Sequence, residues 1–365
     1  MTPARASLLA VAATVTAAAC TRPAEERALR DDDIGRASAD GITIDIADGL
    51  AHVRSLSGDA AELWAQAPII DLTIDVEPAA AGPFTLTLGN ALADHALTGA
   101  VAFTDLGGSR PTVRVWQLDL PAGRTTLRVA PPDDLDTTTP WRFAVMGDIQ
   151  DALPTVHEVF ARINAEPGLR FVISTGDIVH RGREDEYALF EQQLTTLDLP
   201  FYSTIGNHEL WDDVGRWYRR FGRATVHFDF RGAAFSLVDS ASATLDPAVD
   251  TLLDAWLARH ADDVHVFATH YPPLDPVGIR MGSFASRREA QALLARLAAA
   301  RVDVTFYGHL HTYVGFENAG IPAHVSGGGG AEPMRLDGID RHFLAVAVDP
   351  SAAAITAVTV VRVDE

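Results

Sequence analysis

The hydrophobic pattern divides the chain into two parts with different periods. Between residues 41 and 130, apolar and polar positions alternate over short runs, as at Ile42, Ile44 and Ile46, and glycine and proline turns separate the runs. Alternation with a period of two is typical of half-buried strands. The pattern predicts an all-β, sandwich-like domain over residues 41–130.

Strands and helices alternate after residue 140. Residues 131–140 are polar and rich in proline, which predicts a linker. Apolar runs beyond it predict strands at residues 143–146, 171–174, 201–205, 264–268 and 302–306. Amphipathic spacing predicts helices at residues 154–164, 184–197 and 286–300, and a β pattern returns over 343–363. This alternation favours an α/β fold for residues 141–365.

The first twenty residues have the pattern of an export signal. Arg5 precedes an apolar stretch that is too short to span a bilayer and ends in Ala17-Ala18-Ala19-Cys20. This end is similar to a bacterial lipobox, in which the cysteine is lipidated; ordinary signal cleavage is the alternative. The lipobox interpretation predicts a periplasmic or extracellular envelope protein, anchored to a membrane through Cys20. Residues 21–40, which are charged and small, would then form a flexible tether.

Composition excludes several kinds of chemistry. The chain has 365 residues, 47% of them hydrophobic and 21% charged, as in a folded protein with a large core. A formal net charge of −20 opposes binding to nucleic acids, so we expect no specific nucleic-acid binding. All 29 basic residues are arginine, which excludes Schiff-base lysines and P-loops. Cys20 is the only cysteine, which excludes thiol catalysis and thiolate metal sites in the folded body.

Short polar motifs follow the strand-like runs of the second part. They are Gly147-Asp148-Ile149-Gln150, Gly176-Asp177, Gly206-Asn207-His208-Glu209, His270 and Gly308-His309-Leu310-His311. A residue just beyond a strand is held accurately yet remains open to a cleft. Carboxylate, amide and imidazole ligands suit Mn, Fe, Zn, Co or Ni better than Ca or Mg.

The order and spacing of these motifs resemble the calcineurin-like metallophosphoesterase superfamily. The resemblance implies a two-sheet α/β/β/α fold and two divalent metal ions, with a bridging hydroxide as nucleophile. It implies one ion held by Asp148, Gln150, Asp177 and His311, and a second held by Asp177, Asn207, His270 and His309. His208 matches the family histidine that protonates the leaving alkoxide. Arg181 aligns with a phosphate-binding arginine, although an ordinary surface arginine is an equal alternative.

Two positions depart from the common family pattern. The first motif is usually Asp-x-His, whereas Asp148-Ile149-Gln150 looks like the branch of manganese-dependent ADP-ribose and CDP-alcohol diphosphatases. His180 stands where purple acid phosphatases have a metal-binding tyrosine and Ser/Thr phosphatases an aspartate; an extra ligand, a substrate contact and a loop histidine all remain open. Residues 326–330 either let a loop pass close to the site or cradle a phosphate. The remaining histidines of interest match no motif and are interpreted as structural: His157, His227, His260 and His265.

These patterns together predict a di-metal phosphoesterase acting on phosphomonoesters or phosphodiesters of a small molecule. A nucleotide-type diphosphate hydrolase is an alternative that Gln150 suggests. A second alternative is a non-catalytic envelope lipoprotein that uses the fold as a scaffold.

Overall fold

The computed structural model describes residues 23–260, 263–278, 282–334, 336 and 338–364. The predicted export signal and Cys20 lie outside these residues. Within the described ranges, the helices are all too short or too polar to cross a membrane.

Two five-stranded sheets form the N-terminal region. The first has the order β1 (Arg36–Ala39), β2 (Ile42–Ile46), β5 (Ile70–Val76), β10 (Gly123–Ala130) and β7 (Ala96–Gly99). The second has the order β3 (Ala51–Leu56), β4 (Ala60–Ala65), β6 (Gly82–Gly89), β9 (Val113–Leu120) and β8 (Ala102–Gly107). Along β5 every second residue is buried, so this strand turns one face to a core that residues of both sheets form. The predicted all-β region is confirmed.

Two further sheets form the C-terminal domain. One has the order β13 (Phe201–Ser203), β12 (Leu169–Ser174), β11 (Trp141–Met146), β20 (His342–Asp349) and β21 (Ala354–Arg362). The other has the order β14 (Val226–Phe230), β15 (Ala233–Val238), β16 (Val264–Thr269), β17 (Val304–Tyr307), β19 (Ile321–Ser326) and β18 (Tyr313–Asn318). Phe143 of the first sheet contacts Phe235 and Phe306 of the second, so an aromatic core joins the two inner faces.

Helices cover the outer faces of these two sheets. Those described are α1 (Pro23–Asp32), α2 (Val156–Asn164), α3 (Glu184–Leu194), α4 (Gly215–Arg220), α5 (Pro247–Arg259) and α6 (Arg287–Ala299). Helices α2 and α3 share a buried cluster with the first sheet, and α5 and α6 share one with the second. Ser286 accepts a hydrogen bond from the Glu289 backbone N–H and so caps α6. The predicted α/β/β/α architecture is confirmed.

Residues 23–39, within the predicted tether, form α1 and the edge strand β1. Their order comes from contacts made far along the chain. Arg27 is buried against Asp239, with 2.5 Å between Nε and Oδ2. Asp31 accepts hydrogen bonds from the backbone N–H groups of Ala224 and Thr225. A charged segment resembles a tether in sequence, but here its charges are paired with groups about two hundred residues away.

Parallel strand pairs bring the motif loops to one edge of the domain. Strands β11, β12 and β13 are parallel to one another, as are β15, β16 and β17 in the facing sheet. The carboxyl ends of parallel strands lie at the same edge of a sheet. The loops that carry the predicted ligands therefore converge.

Candidate metal centre

Each predicted ligand lies shortly beyond the carboxyl end of a parallel strand. The loop after β11 carries Asp148 and Gln150, the loop after β12 carries Asp177, the loop after β13 carries Asn207, β16 leads to His270, and β17 leads to His309 and His311. Asp148, Asp177 and His270 are fully buried, and their candidate ligand atoms all lie within 4.8 Å of one another. The structure thus brings the seven predicted ligands together.

One group of contacts joins the first set of predicted ligands. The Gln150 amide nitrogen lies 2.8 Å from Asp177 Oδ2 and 3.0 Å from His311 Nε2. His311 Nε2 in turn lies 3.5 Å from Asp148 Oδ1. These distances connect the side chains that the resemblance assigns to one ion.

A second group of contacts shares Asp177 with the first. Asn207 Oδ1 lies 2.9 Å from His270 Nε2 and 3.0 Å from His309 Nδ1. His270 Nε2 is also 3.4 Å from Asp177 Oδ2. Asp177 therefore contacts both groups.

The imidazole orientations fit metal binding. His270 Nδ1 donates to the Thr175 carbonyl at 3.0 Å, and His311 Nδ1 donates to the Glu332 carbonyl at 2.9 Å. Each of these bonds leaves Nε2 unprotonated in the neutral ring, and carbonyl partners of this kind orient histidine ligands of metals. The Nε2 atom of His270 then faces Asn207 Oδ1, another acceptor, so a cation coordinated by both atoms would remove their repulsion.

Two glycines are required by close packing at the centre. A Cβ atom at Gly206 would lie 2.1 Å from Asp177 Oδ1. A Cβ at Gly308 would lie 2.7 Å from both Asp148 Oδ2 and Thr175 Oγ1. The glycines before these ligands therefore leave room for the carboxylates.

Several ligand positions have left-handed backbone conformations. The φ angles are 63° at Asp148, 47° at Gln150, 55° at Asp177 and 67° at His309. Such conformations cost non-glycine residues about 1 kcal/mol or more, and they cluster at functional sites. The loops are held in these conformations by hydrogen bonds such as the one from the His309 backbone N–H to Asp148.

His208 is positioned beside the shared carboxylate. Its backbone N–H donates to Asp177 Oδ1 at 2.9 Å, and its Nδ1 donates to the His180 carbonyl at 2.5 Å. Its Nε2 lies 3.8 Å from Asp177 Oδ2 and faces the centre. The next residue after His180, Arg181, is exposed, and its guanidinium makes no ion pair with the described residues. Its predicted role stays a prediction, as does a role for His180.

Two residues at the centre, Glu209 and Trp211, were not predicted from the sequence to have a function. Glu209 is fully buried and accepts backbone hydrogen bonds from Asp177, Gly206 and Val179. Burial, together with the charge of Asp177, raises the pKa of Glu209. Trp211 is 57% exposed and stacks on His208 with 4.4 Å between ring centroids. Glu209 belongs to a quoted motif, but only the fold reveals that it joins two ligand loops.

We expect Glu209→Gln to lower both stability and metal content. A glutamine has one acceptor oxygen, so its NH₂ group would face a backbone donor, at a cost of about 1–3 kcal/mol. Thermal unfolding and metal analysis after dialysis would measure the two effects. Glu289→Gln is the control, because Glu289 also accepts from a buried loop, at Leu245 N, but lies outside the centre. Equal metal content in both variants would contradict a role in organising the ligand loops.

Comparison with known proteins agrees with this geometry. The calcineurin-like phosphoesterase family model matches residues 142–313, which contain all seven predicted ligands. Residues 142–313 thus match the calcineurin-like phosphoesterase family. The matched segment begins within β11 and ends at the start of β18, so it includes the strands that carry the ligand loops.

Curated relatives are similar to this chain over part of their length. A probable cyclic nucleotide phosphodiesterase of Rhodopseudomonas palustris is 30% identical over 183 residues, which are 46% of this chain and 66% of that protein. A probable glycerophosphodiester phosphodiesterase of Arcobacter nitrofigilis is 38% identical over 58 residues, which are 16% of this chain and 21% of that protein. The chain thus spans less than two thirds of either relative.

A solved structure extends the likeness beyond the metallophosphoesterase domain. The purple acid phosphatase from yellow lupin (Lupinus luteus) seeds aligns with a TM-score of 0.51 and 14% identity. The alignment covers 81% of this chain and 72% of the lupin chain. That share exceeds residues 141–365, so it includes part of the N-terminal sheets. At this identity the likeness shows the fold alone.

Proposed function

We propose that the chain is a metal-dependent phosphoesterase that prefers phosphodiesters. The observation that carries this proposal is the convergence of Asp148, Asp177 and His270, whose ligand atoms lie within 4.8 Å of one another. A buried cluster of two carboxylates and an imidazole is unfavourable unless its charges are balanced, and divalent cations balance them. The names of the two curated relatives support the preference for diesters.

Two groups of side chains would hold the metal ions, with Asp177 common to both. The first group is Asp148, Gln150, Asp177 and His311; the second is Asp177, Asn207, His270 and His309. Bound divalent ions at such a centre stabilise negative charge on phosphoryl oxygens and lower the pKa of water. The donor set of nitrogen and oxygen atoms suits Mn, Fe, Zn, Co or Ni. The amide of Gln150 would turn its oxygen, rather than its nitrogen, toward the ion.

His208 would act as the general acid that protonates the leaving oxygen. Because its Nδ1–H is held by the His180 carbonyl, Nε2 is the atom that gains and loses a proton. Nε2 faces the ligand cluster, so a protonated His208 would donate from Nε2 to the leaving oxygen as the phosphorus–oxygen bond breaks. Arg181 would contact a non-bridging phosphate oxygen through its guanidinium.

Hydrolysis of two aryl phosphates tests the proposal. Apo protein is loaded in turn with Mn²⁺, Zn²⁺ and Co²⁺ and assayed with bis(p-nitrophenyl) phosphate and p-nitrophenyl phosphate. We expect a higher kcat/KM for the diester. His208→Ala should lower kcat about 10²- to 10⁴-fold, the range of general acid catalysis, with unchanged metal content. Equal rates for wild type and variant would refute the role of His208, and no metal-dependent hydrolysis would favour a scaffold protein.

A nucleotide-type diphosphate is the second candidate substrate. Trp211 is exposed beside His208 and offers a flat aromatic surface on which a base could stack. Gln150, by its resemblance to a diphosphatase branch, points the same way. A Trp211→Ala substitution would raise KM for ADP-ribose and leave that for the aryl diester unchanged if a base stacks there; equal effects on both would oppose it.

We propose in addition that the protein is exported and lipid-anchored in a bacterial envelope. The sole cysteine of the chain, Cys20, directly follows three alanines at the end of an apolar stretch, which supports this proposal. Expression in a bacterium with radiolabelled palmitate should label the wild-type chain in the membrane fraction. Cys20→Ala should remove the label; labelling that persists in this variant would refute lipidation at Cys20.

A further inference from the structure

Strand β14 and helix α5 bring together a second cluster of potential ligands. His227 and Asp229 are two positions apart on β14, so they share the face opposite to the core residues Phe228 and Phe230. His260 is the residue at which α5 ends, and it faces the same side of the strand. The cluster shares no residue with the centre described above.

Three potential ligand atoms converge at this cluster. His260 Nε2 lies 2.9 Å from Asp229 Oδ1, and His227 Nε2 lies 3.6 Å from the same oxygen. All three atoms lie within 4.8 Å of one another. Ligand atoms about 2.0–2.1 Å from a tetrahedral ion lie about 3.3 Å apart, and the two measured distances lie on either side of this value.

Both histidines turn Nε2 toward the cluster and are held in place through Nδ1. His260 Nδ1 donates to Asp263 Oδ2 at 2.9 Å. Ser236 Oγ is hydrogen-bonded to both His227 Nδ1, at 3.1 Å, and His265 Nε2, at 2.9 Å. Histidine ligands of metals typically donate their other N–H to a carboxylate or another fixed acceptor. The ring orientations are thus set for Nε2 to bind a cation.

Outside the cluster, no described residue donates a hydrogen bond to the converging atoms. His227 Nε2 is buried without a hydrogen-bond partner in that part of the chain, and the 2.9 Å contact between His260 Nε2 and Asp229 Oδ1 is one that a proton or a metal cation can bridge. Both histidine side chains are more than nine-tenths buried. A divalent cation between the three atoms would balance the buried carboxylate and would satisfy His227 Nε2 as well. We propose that His227, Asp229 and His260 bind a divalent transition-metal ion.

Local charge and access agree with this site. Arg259 donates from Nη2 to the other oxygen of Asp229, Oδ2, at 2.7 Å and so holds the carboxylate in place. With neutral imidazoles, Asp229, Asp263 and Arg259 carry a net charge of −1. His227 and Asp229 line a cavity of about 570 Å³ that separates β14 and α5 from the N-terminal sheets, so an ion and a water ligand can enter.

The ligand types indicate which ion binds and what it does. Two imidazole nitrogens and one carboxylate oxygen suit Zn²⁺, Co²⁺ or Ni²⁺ better than Mg²⁺ or Ca²⁺. The bound ion ties the carboxyl end of α5 to β14 beside the N-terminal region. It therefore stabilises the structure at a distance from the phosphoesterase centre.

Metal stoichiometry tests this proposal. Full-length wild type, Asp229→Asn and His260→Gln are stripped with a chelator, equilibrated with Zn²⁺, exchanged into metal-free buffer and analysed by mass spectrometry. We expect each variant to bind one zinc ion fewer than wild type and to keep its rate of aryl phosphodiester hydrolysis. His95→Gln is the control for lost stability, because His95 is a buried histidine outside both clusters. Equal zinc content in wild type and in folded ligand variants would overturn the proposal.

A second measurement leaves the ligands intact. Trp256 stacks on His227 with 4.6 Å between ring centroids, so Cu²⁺ bound at the cluster would quench its fluorescence. The titration uses Asp177→Asn protein, in which the phosphoesterase centre is weakened, with and without Trp256→Phe. We expect Cu²⁺ quenching to fall in the Trp256→Phe protein. Unchanged quenching would overturn the proposal even if the ligand variants do not fold.

Discussion

Replacing Asp177 by asparagine is expected to lower kcat/KM for a phosphodiester by at least about a thousandfold, equivalent to about 4 kcal/mol of transition-state stabilisation. Asp177 Oδ2 contacts Gln150 in one ligand group and His270 in the other, so its charge serves both. Asparagine keeps the oxygen that accepts from the His208 backbone and tolerates a positive φ. A loss of activity in Asp177→Asn would therefore result from the missing negative charge rather than from misfolding.

Rate and metal content should be measured together for this variant. Asp45→Asn serves as control, because Asp45 is exposed and lies 4.0 Å from Arg36. We expect the control to keep wild-type activity and metal, and Asp177→Asn to bind less metal in both ligand groups. Activity within a few-fold of wild type, with metal saturating, would contradict the assignment of Asp177 as the shared ligand.

Removing Asp239 is expected to destabilise the fold by about 3–5 kcal/mol, the cost of leaving a buried charge unpaired. The Arg27 guanidinium is 2% exposed and donates to both oxygens of Asp239, at 2.5 and 3.1 Å. In Asp239→Ala the cation would lose this partner and, among the described residues, would keep a side-chain hydrogen bond to Ser242 Oγ alone. Thermal unfolding should show a clear decrease in the melting temperature.

A double replacement separates charge burial from loss of packing. Arg27→Met combined with Asp239→Leu removes both charges, so we expect it to recover most of the lost stability. Asp45→Ala, which breaks only an exposed pair, should cost about 1 kcal/mol or less. If the double variant is as unstable as Asp239→Ala, the loss comes from packing of α1 rather than from an unpaired charge.

The sequence predicted the layers of the fold because they depend on local patterns. Alternation of apolar residues identified the N-terminal strands, and amphipathic spacing identified α2, α3 and α6 within a few residues. The helix and strand formed by residues 23–39 were not predictable from local patterns, because Arg27 pairs with a residue 212 positions away. Helix α5 was missed, although Asp246 caps it and Pro247 occupies its first position.

The candidate site was predictable for a different reason. Its ligands stand in short motifs at strand ends, so each motif can be recognised from a few neighbouring residues of the sequence. Glu209 accepts hydrogen bonds from backbone N–H groups. Every residue type except proline has such a group, so these contacts produce no pattern in the sequence. His227 and Asp229 share a strand face, but His260 is 31 positions beyond Asp229, so their proximity depends on how α5 packs. His227 and His260 were interpreted as structural because they match no motif.

The left-handed ligand positions bear on how variants of this protein would respond to artificial selection. Glycine at Asp148, Gln150 or His309 would relieve backbone strain and remove a ligand at the same time. A library screened only for heat resistance should therefore become enriched in glycine at these positions and lose hydrolytic activity. Thermal engineering of this chain would have to hold the strained positions fixed and search elsewhere, for instance among exposed residues of the N-terminal sheets.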